Sequence, residues 1–133
     1  MRNDIIEYPD GKREWLQNGQ LHREDGPAIE YPDGSTYWYL NGKCHREDGP
    51  AVEWPDGTRE WYRNEILHRE DGPAVIFNGT CAWWVNGKRH RLDGPAFEDI
   101  AGSREWWING VEYTEEEYEQ AVLVYKWGLS VDA

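Results

Sequence analysis

Residues 29–51 read IEYPDGSTYWYLNGKCHREDGPA, and residues 52–74 repeat them as VEWPDGTREWYRNEILHREDGPA. Self-similarity at a fixed period identifies a repeat architecture before any local propensity is considered. Working outward, the units run over 6–28, 29–51, 52–74, 75–96 (one residue shorter) and 97–113. Each opens on an alternating stretch such as Ile29-Glu30-Tyr31, whose apolar first and third residues share a face: a half-buried strand. Pro32-Asp33-Gly34 turns the chain, because Pro presets φ and Gly accepts positive φ.

A second strand follows, with Trp15, Trp38, Trp61, Trp83 and Trp106 at one position of every unit. The next position holds Leu16, Tyr39, Tyr62, Trp84 and Trp107, which the two-residue period sends to the opposite face. Asn-Gly pairs at 18–19, 41–42, 86–87 and 109–110 end this strand with a strong hairpin signal, and Asn64-Glu65 is the departure. The unit closes on His-Arg-Glu-Asp-Gly-Pro-Ala, with Leu92 in place of the acid in the fourth copy. Its Pro cannot donate to a central ladder, so this segment reads as a connector. The expected fold is all-β: a single domain over 1–133, an antiparallel meander of β-hairpin repeats with about ten strands.

The end departs from the pattern. Thr114-Glu115-Glu116-Glu117 is a capping box that predicts a C-terminal helix over 114–128, with Tyr118, Ala121, Val122 and Tyr125 at helical spacing. This helix is expected to cover the last unit, whereas residues 1–5 are too short to cap the first. An N-terminal edge left uncovered could pair with a partner or a second copy of the chain.

Of the 133 residues, 26 are acidic and 14 basic, giving a formal net charge of -12. Nine acids against Arg104 and Lys126 lie in residues 97–133. Such acidity disfavours nucleic acid and anionic membranes and favours a basic protein partner. Cys44 and Cys81 occupy different repeat positions and read as free thiols, Asn78-Gly79-Thr80 reads as a turn, and no run approaches the ~20 apolar residues of a membrane span. A cytoplasmic location is expected.

The Tyr-Pro-Asp-Gly, Trp-Tyr and Asn-Gly elements resemble the MORN repeat family, in which each unit forms a β-hairpin. The His-Arg-Glu-Asp-Gly-Pro-Ala segment is similar instead to short repeat proteins of bacteriophages, some bacteria and large viruses. That group ends on a helix start like Asn109-Gly110-Val111-Glu112-Tyr113-Thr114-Glu115-Glu116-Glu117. The resemblance implies a MORN-like solenoid. It also implies a small accessory protein in an infected bacterial cell that binds and inhibits a host protein, such as a defence component.

His22, His45, His68 and His90 recur at repeat spacing, but equivalent strands two ladders apart lie roughly 9–10 Å from one another, too far to share a metal whose ligands sit within ~2.1 Å. No metal or cofactor is expected. Four near-identical His and Asp sets suggest structure rather than one active site, with Asp25, Asp48, Asp71 and Asp93 accepting from an imidazole or backbone N–H, and no enzymatic activity. A thin meander leaves an aromatic row partly exposed, either Tyr31, Trp54 and Phe77 or Tyr39, Tyr62, Trp84 and Trp107. We take the second as the protein contact, with Glu115, Glu116 and Glu119 steering encounter. Two other readings are a nucleotide sponge using Arg23, Arg46, Arg69 and Arg91, and a self-assembling structural component.

Overall fold

The computed structural model describes residues 2–129: eighteen strands and one helix, arranged as an open antiparallel sheet. Twelve strands belong to one continuous sheet, and three hairpins, two turning on Asn-Gly and one on Asn64-Glu65, form two-stranded pieces beside it.

The second unit shows why there are more strands than the two expected per repeat. Ile29–Glu30 pairs with Thr36–Tyr37 across the Pro-Asp-Gly turn, and Tyr39–Leu40 pairs with Lys43–Cys44 across the Asn-Gly turn. Trp38 stands between them and its backbone changes partners. Its N–H donates to the Ala51 carbonyl at 2.7 Å, while its own carbonyl accepts from His45 N–H at 3.0 Å. Trp15, Trp61 and Trp83 do the same with Ala28 and His22, Ala74 and His68, and Ala96 and His90. In units two to four the long second strand is therefore split at the Trp, one part feeding the main sheet and the other a row of small hairpins, whereas Arg13–Gln17 and Arg104–Ile108 run through it unbroken. Bonds from Gly42 N–H to the Leu21 carbonyl, Glu65 to Cys44, Gly87 to Leu67 and Gly110 to Arg89 tie successive hairpins together.

Both turn types follow from their residues. Asn41 (φ 50°) and Gly42 (φ 79°) adopt the paired positive φ of a two-residue hairpin turn, and Asn64-Glu65 holds the same shape at 49° and 68°. In the other turn the Asp33 carboxylate accepts from Ser35 N–H at 2.8 Å, and Asp56 from Thr58 N–H at 2.9 Å. Those backbone bonds hold both carboxyls below their ordinary value. In the fourth unit Asn78-Gly79 joins Val75–Phe77 to Thr80–Ala82 directly, and this tighter turn accounts for the missing residue.

The core is thin. Ala28, Ala51, Ala74 and Ala96 are fully buried, with Ile29 and Val52 nearly so, and among the described residues no large side chain is completely enclosed. At the C-terminus, α1 (Glu115–Trp127) starts at Thr114 with the reciprocal bonds of a capping box and stops at Gly128 (φ 69°). Tyr118 and Val122 pack on Ile108, with Leu92, Trp106, Tyr113 and Ala121 around them. Tyr125, expected on this apolar stripe, is half exposed and lies against the His90 ring at 5.3 Å between centroids. At the other end, β1 (Asn3–Glu7) pairs along its whole length with β2 (Arg13–Gln17). No described helix is long and apolar enough to cross a membrane.

Candidate functional site

The two faces of the repeat array carry different chemistry. On one, the Trp of each of the first four units lies beneath an Arg of its own connector: Arg23 over Trp15 at 4.1 Å from the ring centre, and Arg46, Arg69 and Arg91 over Trp38, Trp61 and Trp83 at 3.9 Å. Each guanidinium also donates from Nε to Asp25, Asp48, Asp71 or Asp93 at 3.0–3.2 Å, and from Nη1 to the carbonyl of Pro27, Pro50, Pro73 or Pro95. The Gly of the connector makes room for it, because a Cβ on Gly26 or Gly72 would stand 2.7 Å from the guanidinium carbon.

The His of the connector joins one unit to the next. Nδ1 of His22, His45, His68 and His90 accepts the backbone N–H of Asn41, Asn64, Asn86 and Asn109 at 2.9–3.0 Å. That bond leaves Nε2 as the protonated nitrogen of the neutral ring. Nε2 of His22, His45 and His68 then meets Glu24, Glu47 and Glu70 at 3.4, 2.9 and 3.1 Å. The expected His–Asp pairing is thus corrected: imidazole pairs with Glu, and Asp pairs with Arg. The reason is alternation, since side chains two apart in an extended segment share a side. In the fourth unit Leu92 takes the acid's place and packs under α1, and burial holds His90 below its ordinary pKa. The connector is a clasp whose Arg side chain is bonded in all four copies and whose His bonds through both ring nitrogens in the first three.

The opposite face is aromatic. Tyr31 and Tyr37 meet edge to face at 5.5 Å, Trp54 Nε1–H donates to the Tyr37 hydroxyl at 2.9 Å, and Lys12 lies over Tyr8 and Tyr31 at 5.0 and 5.3 Å. Beyond the bend at the Trp come Tyr39, Tyr62, Trp84 and Trp107, all half-buried. Burial raises the Tyr39 hydroxyl pKa. It also pushes Tyr62, beside Glu60 and Cys44, up to about 12, and the Cys44 thiol likewise to about 12. Both cysteines are free. Arg89 sits 5.0–5.8 Å over Trp84, Phe97 and Trp107 and donates to Glu105 at 2.9 Å.

The two alternative aromatic rows therefore belong to one band. Its margin is the more open part, with Tyr8, Trp54 and Phe77 38%, 39% and 45% exposed. Glu115, Glu116 and Glu119 are exposed on α1, which covers Trp106 and Ile108 on the other face, so the structure does not bring them to the rings. The carboxylates among the rings are Glu14, bonded to Tyr8 (2.8 Å), Glu60, bonded to Tyr62 (3.3 Å), and Glu105, bonded to Trp107 Nε1–H (2.8 Å). They sit two residues before the row positions, a spacing the sequence displays and our reading of it passed over.

Among the described residues no group of three or more His, Cys, Asp or Glu could hold a metal ion. No family model, curated protein or solved structure matches the chain.

Proposed function

We propose that the chain is a non-enzymatic protein-binding module that contacts its partner through the aromatic band. The observation carrying this reading is the asymmetry of the faces. The Trp row is covered by a connector arginine at about 4 Å in each of the first four units, while in the band Arg89 lies more loosely over Trp84, Phe97 and Trp107 and, among the described residues, no arginine covers Tyr39, Tyr62, Trp54 or Phe77. Tyr8, Trp54 and Phe77 make first contact, and Tyr39, Tyr62, Trp84 and Trp107 anchor deeper, as aromatic hot spots do. The net charge of -12 and the carboxylates of the band favour a basic patch on the partner. Following the resemblance to phage repeat proteins, the partner is a bacterial host protein, inhibited in the host cytoplasm. The sponge reading is weaker, because Arg23, Arg46, Arg69 and Arg91 are committed to Trp, Asp and backbone.

Affinity capture from bacterial lysate tests this. A partner retained by the wild type and lost with Trp54→Ser/Phe77→Ser, whose rings are exposed enough to leave folding intact, supports the reading. Tyr39→Ser/Tyr62→Ser/Trp84→Ser should lose it too. Retention by the double variant overturns the band as the contact surface.

A further inference from the structure

Every junction inside the array uses two devices: ladder bonds between main-sheet strands and a His Nδ1 that accepts the next unit's Asn N–H. Among the described residues no clasp meets Asn18 of the first unit, and Arg2 takes that place. Asn18 N–H donates to the Arg2 carbonyl at 2.8 Å, and Arg2 N–H donates to Asn18 Oδ1 at 3.1 Å. That contact extends β1 to five residues where the equivalent strands of units two and three have two.

An antiparallel ladder bonds alternate residues to one neighbour. Arg2 and Tyr8 bond inward, to Asn18 and Lys12, so Asp4 and Ile6 do too, and the N–H and C=O groups of Asn3, Ile5 and Glu7 point outward. Among the described residues nothing pairs with that side. Ile5 is 60% exposed and Ile6 36%, and of the devices that blunt an edge the strand has the charges of Asp4 and Glu7, paired with Arg2 and Arg13 of its own chain, but neither Pro nor Lys.

We propose that β1 pairs antiparallel with β1 of a second copy about a two-fold axis through Ile5. This register uses every outward group of the strand. Ile5 meets its own counterpart, Asn3 meets Glu7, Asp4 meets Ile6, and Arg2 meets Tyr8, so no acid opposes an acid despite the chain's charge. Head-to-tail growth is disfavoured by the other end: the fifth unit has no clasp, α1 stands in its place, and no His is offered to a following Asn. The two-fold contact uses one patch on both copies and closes at a dimer. Excess negative charge opposes the approach, so the dimer strengthens as salt rises.

The test is light scattering of the full chain with a disulfide register check. The wild type should approach twice the 15.6 kDa chain mass as concentration and salt rise. Ile5→Pro, which removes an outward N–H and no internal bond, should stay monomeric with an unchanged melting temperature. In a Cys44→Ser/Cys81→Ser background, Ile5→Cys should cross-link to itself, because bonded antiparallel partners place Cα atoms about 5.5 Å apart, within disulfide reach. Asn3→Cys should cross-link only when mixed with Glu7→Cys. A monomer at every concentration, a dimer undisturbed by Ile5→Pro, or self-cross-linking of Asn3→Cys overturns the proposal. All three readouts are independent of the aromatic band.

Discussion

Asn64-Glu65 is the second-strand turn in which a side chain occupies a place that glycine fills elsewhere, and Glu65 holds φ 68° there. The left-handed region costs an L-residue roughly 1–2 kcal/mol through contact of Cβ with the following carbonyl. Its N–H still reaches the Cys44 carbonyl at 2.8 Å, so the array accepts the strain to keep the junction. Glu65→Gly should therefore stabilise the protein by about 1 kcal/mol, read as a higher urea midpoint at constant slope. At this scale the sequence was informative wherever a residue acts on its own backbone, as with the Asn-Gly turns, the Pro-Asp-Gly turns and the capping box at Thr114. It was less informative where the role depends on a neighbouring unit. Nothing in the spacing of His45 shows that its Nδ1 meets Asn64, 19 residues on.

Among the elements, the connector and the cap explain one another. Three units keep Glu after Arg, and its carboxylate meets the imidazole of that unit's His; the fourth has Leu92, which packs with Ile108, Tyr118 and Val122 beneath α1. The Tyr118 hydroxyl donates to the Arg91 carbonyl and accepts from Gly94 N–H, so the helix grips the last clasp through its backbone. Leu92→Glu restores the repeat pattern yet puts a carboxylate in that apolar contact. Even with His90 Nε2 within the reach that the other units' Glu uses, loss of a buried apolar contact together with partial burial of a carboxylate costs about 1–3 kcal/mol by mutational measure. We expect a loss of about 3 kcal/mol, with α1 exchanging its amide hydrogens faster than the sheet. A neutral result would show that the helix does not seal the array. The helix itself was legible from the sequence. The Asn-Gly hairpin turns were legible too, but the break that sets three hairpins apart from the main sheet was not, because it needs the backbone switch at the Trp, which leaves no mark in residue alternation.

For the molecule as a whole, the face assignment follows from which side the arginines occupy, and the sequence left that open. Period-two alternation separates Trp38 from Tyr39 but gives both rows equal claim to exposure. The Arg three residues before the connector Gly decides it, by lying over Trp and leaving the Tyr and Trp band on the other side. The function we propose assigns contact to the band, while the four repeated His, Arg and acid sets hold successive units together as clasps. This division is most directly tested at the histidine rings. Long-range nitrogen–proton NMR at mildly alkaline pH should show His22, His45, His68 and His90 all as the Nε2–H tautomer, with hydrogen-bond couplings from the amides of Asn41, Asn64, Asn86 and Asn109 to Nδ1. Rings in the Nδ1–H form, or lacking those couplings, would contradict the clasp and return the histidines to the search for a functional site.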